Sequence, residues 1–238
     1  MAVMRTLTED DILTEDDLDE IVIEAAGDGR HQQAAAQFED LAARPELHGQ
    51  VSASMLLVHA GGQYGLADDW DEAVRCYRAA VVANDTAAAG SVAAAAAAAM
   101  AADDAAADDA ADDAADDAAA GVADIDPRVW LHDALVRKGD EAEATTLRAE
   151  IKSSRSTNPD VYAAVAETLA EHGRQQEALT WFTMGFHRCQ DADIPVYMLH
   201  LLLIGRRAIR RNLGFPPDEL DEIADAYVDH LEATDNLA

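Results

Sequence analysis

The chain has 238 residues, and its 47 acidic against 17 basic side chains give a formal net charge of −30 at pH 7. This charge disfavours phosphate backbones and anionic membrane surfaces as general partners, so we expect neither nucleic acid nor a membrane as a ligand. The two cysteines, Cys76 and Cys189, lie far apart and form no CxxC cluster, which argues against a disulfide framework or a structural zinc site.

Signals for helices run through the whole chain, and no stretch shows the apolar–polar alternation typical of a strand. Near the start, Thr8 is followed by Asp11, and Thr14 by Asp17, at the spacing of a helix N-terminus. The second pair precedes an amphipathic helix that the GDG at 27–29 should end. We therefore predict an all-α fold.

Four turns follow along the chain, and three of them precede an alanine with an aromatic residue four positions later. These three groups are Gly29 with Ala34 and Phe38, Asp68 with Ala73 and Tyr77, and Gly173 with Ala178 and Phe182. The fourth turn, at Gly139, lies about one repeat of 34 residues before Gly173. Alanine lets two helices approach closely, and the aromatic ring fills the space towards the next pair, so the pattern indicates stacked helix pairs.

This pattern resembles the tetratricopeptide repeat family, whose motif is W-x2-L-G-x2-Y, then A-x3-F, then P. The best match consists of Tyr162, Val165, Ala166, Leu169, Gly173, Ala178, Phe182 and Gly185. The second consists of Leu57, Ala60, Gly61, Tyr64, Asp68, Ala73, Tyr77 and Ala80. The resemblance covers 18–190 and implies an α-α superhelix, a solenoid of antiparallel helix pairs. We expect this array to occupy 1–190 and a C-terminal helical pair to cap it over 191–238.

A low-complexity segment rich in alanine and aspartate occupies 86–121. About two repeat periods separate Asp68 from Gly139, so this segment could hold an intermediate repeat with its turn near Asp103. Its aspartate pairs recur every four residues, which places like charges on one helical face. Two alternatives stay open: a weakly packed helical hairpin or a flexible linker.

The last predicted helix begins after Pro216 and Pro217 and carries two different faces. An apolar stripe should face the array and contains Leu220, Ile223, Ala224, Tyr227, Val228 and Leu231. An acidic face should point outwards and contains Asp218, Glu219, Asp221, Glu222, Asp225, Asp229 and Glu232. This arrangement is typical of a capping helix.

No motif for catalysis or for a cofactor occurs in the sequence: a nucleophile elbow, a P-loop and a dinucleotide fingerprint are all missing. The densest set of metal-binding side chains is His187, Cys189 and Asp191, whose alternate spacing near a helix end does not direct three ligands to one point. We therefore expect no enzymatic activity, no cofactor and no metal.

Two surfaces are candidates for binding a partner. The resemblance implies a groove lined by the first helix of each repeat, which here would contain Met55, Val58, Gly62, Asp160, Ala163 and Glu167. This groove is apolar to acidic, and the lysine–asparagine clamp with which some family members bind chaperone tails has no counterpart. A second surface is the basic cluster Arg206, Arg207, Arg210 and Arg211, which either pairs with acids of the last helix or contacts an anion.

These features favour a non-enzymatic adaptor that binds an apolar or basic segment of another protein in its groove. The alternative is a regulator that contacts nucleic acid, or another anionic partner, through Arg206–Arg211. We expect a cytoplasmic location, because the N-terminal residues lack the pattern of a secretory signal and the apolar run 194–204 is too short to span a bilayer.

Overall fold

The structure, a computed structural model, describes residues 12–49, 51–104 and 125–235, and every regular element in these ranges is helical. The predicted all-α fold is confirmed there, with helices packed in adjacent pairs. A 3-10 helix, Pro45–Leu47, lies between the second and third of ten α-helices: α1 (Glu15–Asp28), α2 (His31–Ala42), α3 (Ala53–Leu66), α4 (Trp70–Asp104), α5 (Arg128–Lys138), α6 (Glu141–Ser154), α7 (Pro159–Glu171), α8 (Gln175–Cys189), α9 (Val196–Asn212) and α10 (Glu219–Asp235).

The chain divides into two compact units, Met1–Ala134 and Leu135–Ala238. In the first unit α2 packs against α1 and α3, and α3 packs against α4. In the second unit α8 packs against α7 and α9, α9 packs against α10, and α7 also contacts α9. No α-helix in the described ranges is both long and apolar enough to traverse a lipid bilayer.

The low-complexity segment is helical as far as the structure describes it. Residues 86–104 continue α4, whose side chains from Thr86 to Ala95 are exposed, whereas 105–121 lie outside the described residues. The helix extends to Asp104, where the described residues end, so the expected turn near Asp103 stays a prediction. Alanine, the best helix former, sustains a helix without packing on its sides. The predicted Thr8–Asp11 helix start also lies outside the described ranges, but the Thr14–Asp17 start is confirmed as a capping box.

The four predicted turn residues all adopt the left-handed backbone conformation. Their φ angles are 65° at Gly29, 60° at Asp68, 88° at Gly139 and 76° at Gly173. Glycine adopts this conformation without a steric penalty, which explains three of the four positions. At Asp68 the side chain contributes instead, because its Oδ1 accepts a hydrogen bond of 2.8 Å from Nε1 of Trp70.

The alanine–aromatic pairs form the core between helices. Phe38, Tyr77 and Phe182, together with the alanine that precedes each of them, are buried. Glycine allows the closest approaches: a Cβ at Gly185 would lie 2.5 Å from Cβ of Tyr162. Phe182 packs in the same manner on Gly205 of α9. The rings of Tyr162 and Phe182 therefore fill the space that a glycine on a neighbouring helix leaves open.

Polar contacts within each unit recur at a sequence separation of about one repeat. In the first unit His31 is hydrogen-bonded to Gln63, 32 residues away, and Arg75 donates a hydrogen bond to Glu39, 36 residues away. In the second unit four more residues form contacts at the same interval, with Arg137 bound to Glu171 at a separation of 34 and Arg174 bound to Glu141 at 33. Equivalent positions of successive helix pairs thus meet in both units.

Candidate partner-binding surfaces

Two of the predicted groove residues, Met55 and Val58, line an open pocket of about 360 Å³ in the first unit. Both side chains are half-buried. Two apolar residues outside α3 complete the pocket, namely Ile125 and Trp130, and the indole of Trp130 is 37% exposed. The remaining lining residues are Glu15, Ser54 and His59.

The sequence of α3 determines which of its residues face this pocket. Ser52 caps the helix, because its Oγ accepts a hydrogen bond of 3.0 Å from the backbone N–H of Met55. Ser54 Oγ donates to the carbonyl of Ala80 at 3.1 Å and holds α3 on α4. Leu56 and Ala60 are fully buried on the core side. Met55 packs in part against this core, and the half-buried side chains of Met55 and Val58 offer a thioether and an aliphatic surface to the pocket.

Gly62, the third predicted groove residue on α3, lies one turn beyond Val58 and is not part of the pocket lining. The nearest heavy atom to a Cβ placed there would be the Tyr77 hydroxyl oxygen, at 3.8 Å. The structure therefore brings Met55 and Val58 together in a shared cavity and leaves Gly62 as a smooth, partly exposed part of the same helix.

The predicted groove residues of the second unit, Asp160, Ala163 and Glu167, share the outward face of α7. Asn158 caps this helix by accepting a hydrogen bond of 2.9 Å from the N–H of Asp160, and Tyr162 on the opposite face is fully buried. Partial burial raises the pKa of Glu167, and the carboxylates of Glu171 and Asp160 raise it further. The outward face of α7 is therefore acidic.

Only some of the carboxylates on this face of α7 are paired with cations. Glu171 accepts a hydrogen bond of 2.8 Å from Arg137. Glu167 makes no ion pair with any residue that the structure describes, and its closest electrostatic neighbours are acids. A positive charge supplied from outside would lower the electrostatic energy of this face.

No family model, curated protein or solved structure matches the chain. Its function is therefore argued from the geometry of these surfaces and of the arginine cluster.

Three of the four cluster arginines pair with aspartates of α10 or with Asp218, which immediately precedes it. Arg206 contacts Asp221 at 2.7 Å and Asp218 at 2.5 Å. Arg210 Nε also donates to Asp221, at 2.8 Å. The guanidinium of Arg206 lowers the pKa of Asp218 to about 2. Both members of the Arg206–Asp221 pair are buried.

The two remaining cluster members differ from each other. Arg207 pairs with Asp225, whereas Arg211 is exposed and makes no ion pair in the described part of the chain. Of the two alternatives for the cluster, pairing with the last helix thus accounts for Arg206, Arg207 and Arg210. Their guanidinium groups contact aspartates, and that of Arg210 also donates a hydrogen bond to the carbonyl of Pro216.

The prediction that the acids of α10 all point outwards is wrong. Asp221 is only 2% exposed, and Asp218 and Asp225 bind arginines of α9. These three acids are spaced at i, i+3 and i+7 and therefore share one helical face. The prediction that the apolar stripe faces the array is also wrong in part, because Ile223 and Leu231 remain 45% and 43% exposed.

In the part of the chain that the structure describes, the cysteine thiols and the possible metal ligands do not form a reactive or metal-binding site. In the three described ranges no group of three or more His, Cys, Asp or Glu side chains could hold a metal ion, and this includes His187, Cys189 and Asp191. Burial raises the pKa of the Cys189 thiol to about 11 and that of Cys76 to about 12. Both cysteines are free and buried, so they behave as small core residues.

Sequence reasoning missed Ile125 and Trp130 as pocket residues. No local pattern singled out Trp130, because the residues next to it on α5 are buried on several sides of the helix: Val129 is 1% exposed, Leu131 6% and His132 0%.

Proposed function

We propose that the chain is a non-enzymatic adaptor that binds a segment of another protein on the outward faces of its helix pairs. The observation that carries the proposal is the pocket of about 360 Å³ that joins Met55 and Val58 to Ile125 and Trp130. Its lining is predominantly apolar, with the Glu15 carboxylate as its one acid, which suits an apolar anchor next to a basic residue.

We also propose that the repeats are of the tetratricopeptide type. Three independent features support this assignment: left-handed residues at the four turns, buried alanine–aromatic pairs, and polar contacts about one repeat apart. The buried free thiols of Cys76 and Cys189 support a reducing compartment and hence the cytoplasm. We do not propose nucleic-acid binding through Arg206–Arg211, because three of these arginines already bind aspartates.

The matched variants Val58→Asp and Val82→Asp test the adaptor function. Val58 lines the pocket, whereas Val82 lies on α4, is 66% exposed and is outside the pocket. Peptides selected from a displayed library on the wild-type chain at low salt would be measured by fluorescence polarisation. We expect Val58→Asp to weaken binding at least tenfold, which is about 1.4 kcal/mol, because it places a charge in an apolar site.

Val82→Asp should bind as the wild type does, and circular dichroism should show that both variants keep their helices. If the library yields no binding peptide, or if both substitutions weaken binding equally, the pocket is not a binding site and the proposal is wrong.

A further inference from the structure

The pocket that we propose to bind a partner lies close to the start of the described chain. Glu15, in the first turn of α1, lines the pocket, and the described residues begin at Ile12, three positions earlier. Leu13 fixes this point on the core, because its side chain is 1% exposed and its N–H donates a hydrogen bond of 2.8 Å to the carbonyl of Leu47. Residues 1–11 therefore join the protein within a few residues of the pocket lining.

The sequence of residues 1–11, MAVMRTLTEDD, has the chemistry that the pocket accepts. Met4 and Leu7 supply a thioether and an aliphatic group, which match the predominantly apolar lining. Arg5 supplies the one base of the segment. It complements the carboxylate of Glu15, which is the one acid of the lining and has no ion-pair partner among the described residues.

We propose that residues 1–11 occupy this pocket of their own chain, so that a partner protein binds only by displacing them. Met4 and Leu7 contact the apolar lining, and the guanidinium of Arg5 pairs with Glu15. The inference rests on the proposed adaptor function and adds its regulation, an internal competitor at the same site. It also gives the chemistry of the partner, which must offer apolar side chains and a base in one short stretch.

The connection to the pocket is long enough for this contact. Five residue steps separate Leu7 from Ile12 and span up to about 17 Å when extended, which exceeds the width of a pocket of about 360 Å³. The acids at 9–11 lie within this connection and need not enter the pocket. A short tether gives an effective concentration on the order of 1 mM, so a segment whose free peptide binds with a Kd of about 100 μM would occupy its own pocket most of the time.

Charge distinguishes residues 1–11 from the other occupants that the chain offers. Residues 105–124 adjoin the pocket at Ile125, but they contain seven aspartates, no base and, apart from Val122, no apolar side chain larger than alanine. The carboxylate of Glu15 repels such a segment. Residues 1–11 of a second copy have the right chemistry, but they bind from solution at a far lower concentration than the tethered segment.

A labelled peptide with the sequence of residues 1–11 serves as the probe, and all substitutions are made in the full-length protein. The double variant Met4→Ser/Leu7→Ser, called the open variant, should leave the pocket free. The matched control within the same segment is Thr6→Ser/Thr8→Ser. By fluorescence polarisation we expect the peptide to bind the open variant, and to bind the wild type and the control at least about tenfold more weakly because their own segment competes.

Further substitutions in the open variant locate the contact. Val58→Asp should weaken peptide binding at least about tenfold, whereas Val82→Asp, at a position outside the pocket that is 66% exposed, should not. Glu15→Arg should weaken binding of the same peptide, and a peptide that carries Arg5→Glu should regain affinity for the Glu15→Arg protein, because the exchange restores opposite charges. Circular dichroism should show the wild-type helical signal in every variant.

Each contrary result has its own meaning. If the peptide binds the wild type as tightly as the open variant, or if Val58→Asp leaves binding unchanged, the segment does not occupy the pocket and the inference is wrong. The adaptor function survives that result when library peptides still lose affinity in Val58→Asp. If the library yields no binding peptide while the probe behaves as expected, the adaptor function is wrong and only the internal contact is supported. A wild-type dimer in sedimentation velocity that becomes a monomer in the open variant would place the segment in a second copy's pocket and overturn the contact within one chain.

Discussion

Gly61 and Gly62 are neighbours in α3, yet adding a methyl group at the two positions should change stability in opposite directions. A Cβ at Gly61 would lie 2.6–2.8 Å from three ring carbons of Tyr77, closer than van der Waals contact allows. Tyr77 is 6% exposed, so its ring has little room to move away. At Gly62 the nearest atom would be the Tyr77 hydroxyl oxygen, at 3.8 Å, which is an ordinary contact.

The magnitudes follow from two opposing effects. Alanine is favoured over glycine in a helix interior by about 1 kcal/mol, and this gain applies at both positions. Overpacking a core costs about 1–3 kcal/mol and applies only at Gly61, where the short contacts favour the upper part of that range. We therefore expect Gly61→Ala to lower the free energy of unfolding by about 1–2 kcal/mol and Gly62→Ala to raise it by about 0.5–1 kcal/mol.

Urea unfolding followed by far-ultraviolet circular dichroism would measure both changes. Introducing Tyr77→Leu into both variants should shrink the difference between them, because leucine removes the ring that the new methyl group meets. If Gly61→Ala proves as stable as Gly62→Ala, or if the difference survives in the Tyr77→Leu background, the close packing of α3 on Tyr77 is not what requires glycine.

Two further predictions concern the second unit. Arg155 follows the end of α6 and has a φ of 53°, a backbone conformation that glycine adopts more easily than arginine. Arg155→Gly should therefore raise the thermal midpoint of unfolding by an amount equivalent to roughly 0.5–1 kcal/mol. An equal gain in Arg155→Ala would attribute the effect to the side chain and not to the backbone. Arg206 lowers the pKa of Asp218 from 3.8 to about 2. The ionised carboxylate of Asp218 therefore stabilises the folded state above pH 3.8, and this stabilisation is lost as the pH falls towards about 2. Asp218→Asn should therefore reduce the loss of stability over that pH range in urea titrations, and an unchanged slope would show that the ion pair does not contribute.

Local signals predicted the framework of the fold. Glycine at a left-handed turn and alanine four residues before an aromatic ring both act over a few residues, so Gly173, Ala178 and Phe182 could be placed from the sequence. Met55 and Val58 were predicted as groove residues from their position on α3, which the resemblance assigns as the first helix of a repeat. Trp130 and Leu201 could not be placed in this manner, because their exposure depends on contacts between helices that are distant in sequence.

The extent of α4 shows a second limit of sequence reasoning. This helix continues to Asp104 although its side chains from Thr86 to Ala95 are exposed. Repeat spacing suggested a turn near Asp103, and this turn stays a prediction because the described part of the helix ends at Asp104. High helix propensity accounts for the exposed stretch from Thr86 to Ala95.

Helix α10 shows why spacing alone could not determine which face turns inwards. Its acids and its apolar residues both recur at helical intervals, so either set could have faced α9. Leaving the buried charge of Arg206 without Asp221 would cost roughly 3–5 kcal/mol. Complete burial of Ile223 or Leu231 would contribute about 1.5–3 kcal/mol each, and both are already more than half covered. The ion pairs therefore outweigh the remaining apolar gain, and the helix turns its aspartates towards the arginines and leaves part of its apolar stripe in solvent.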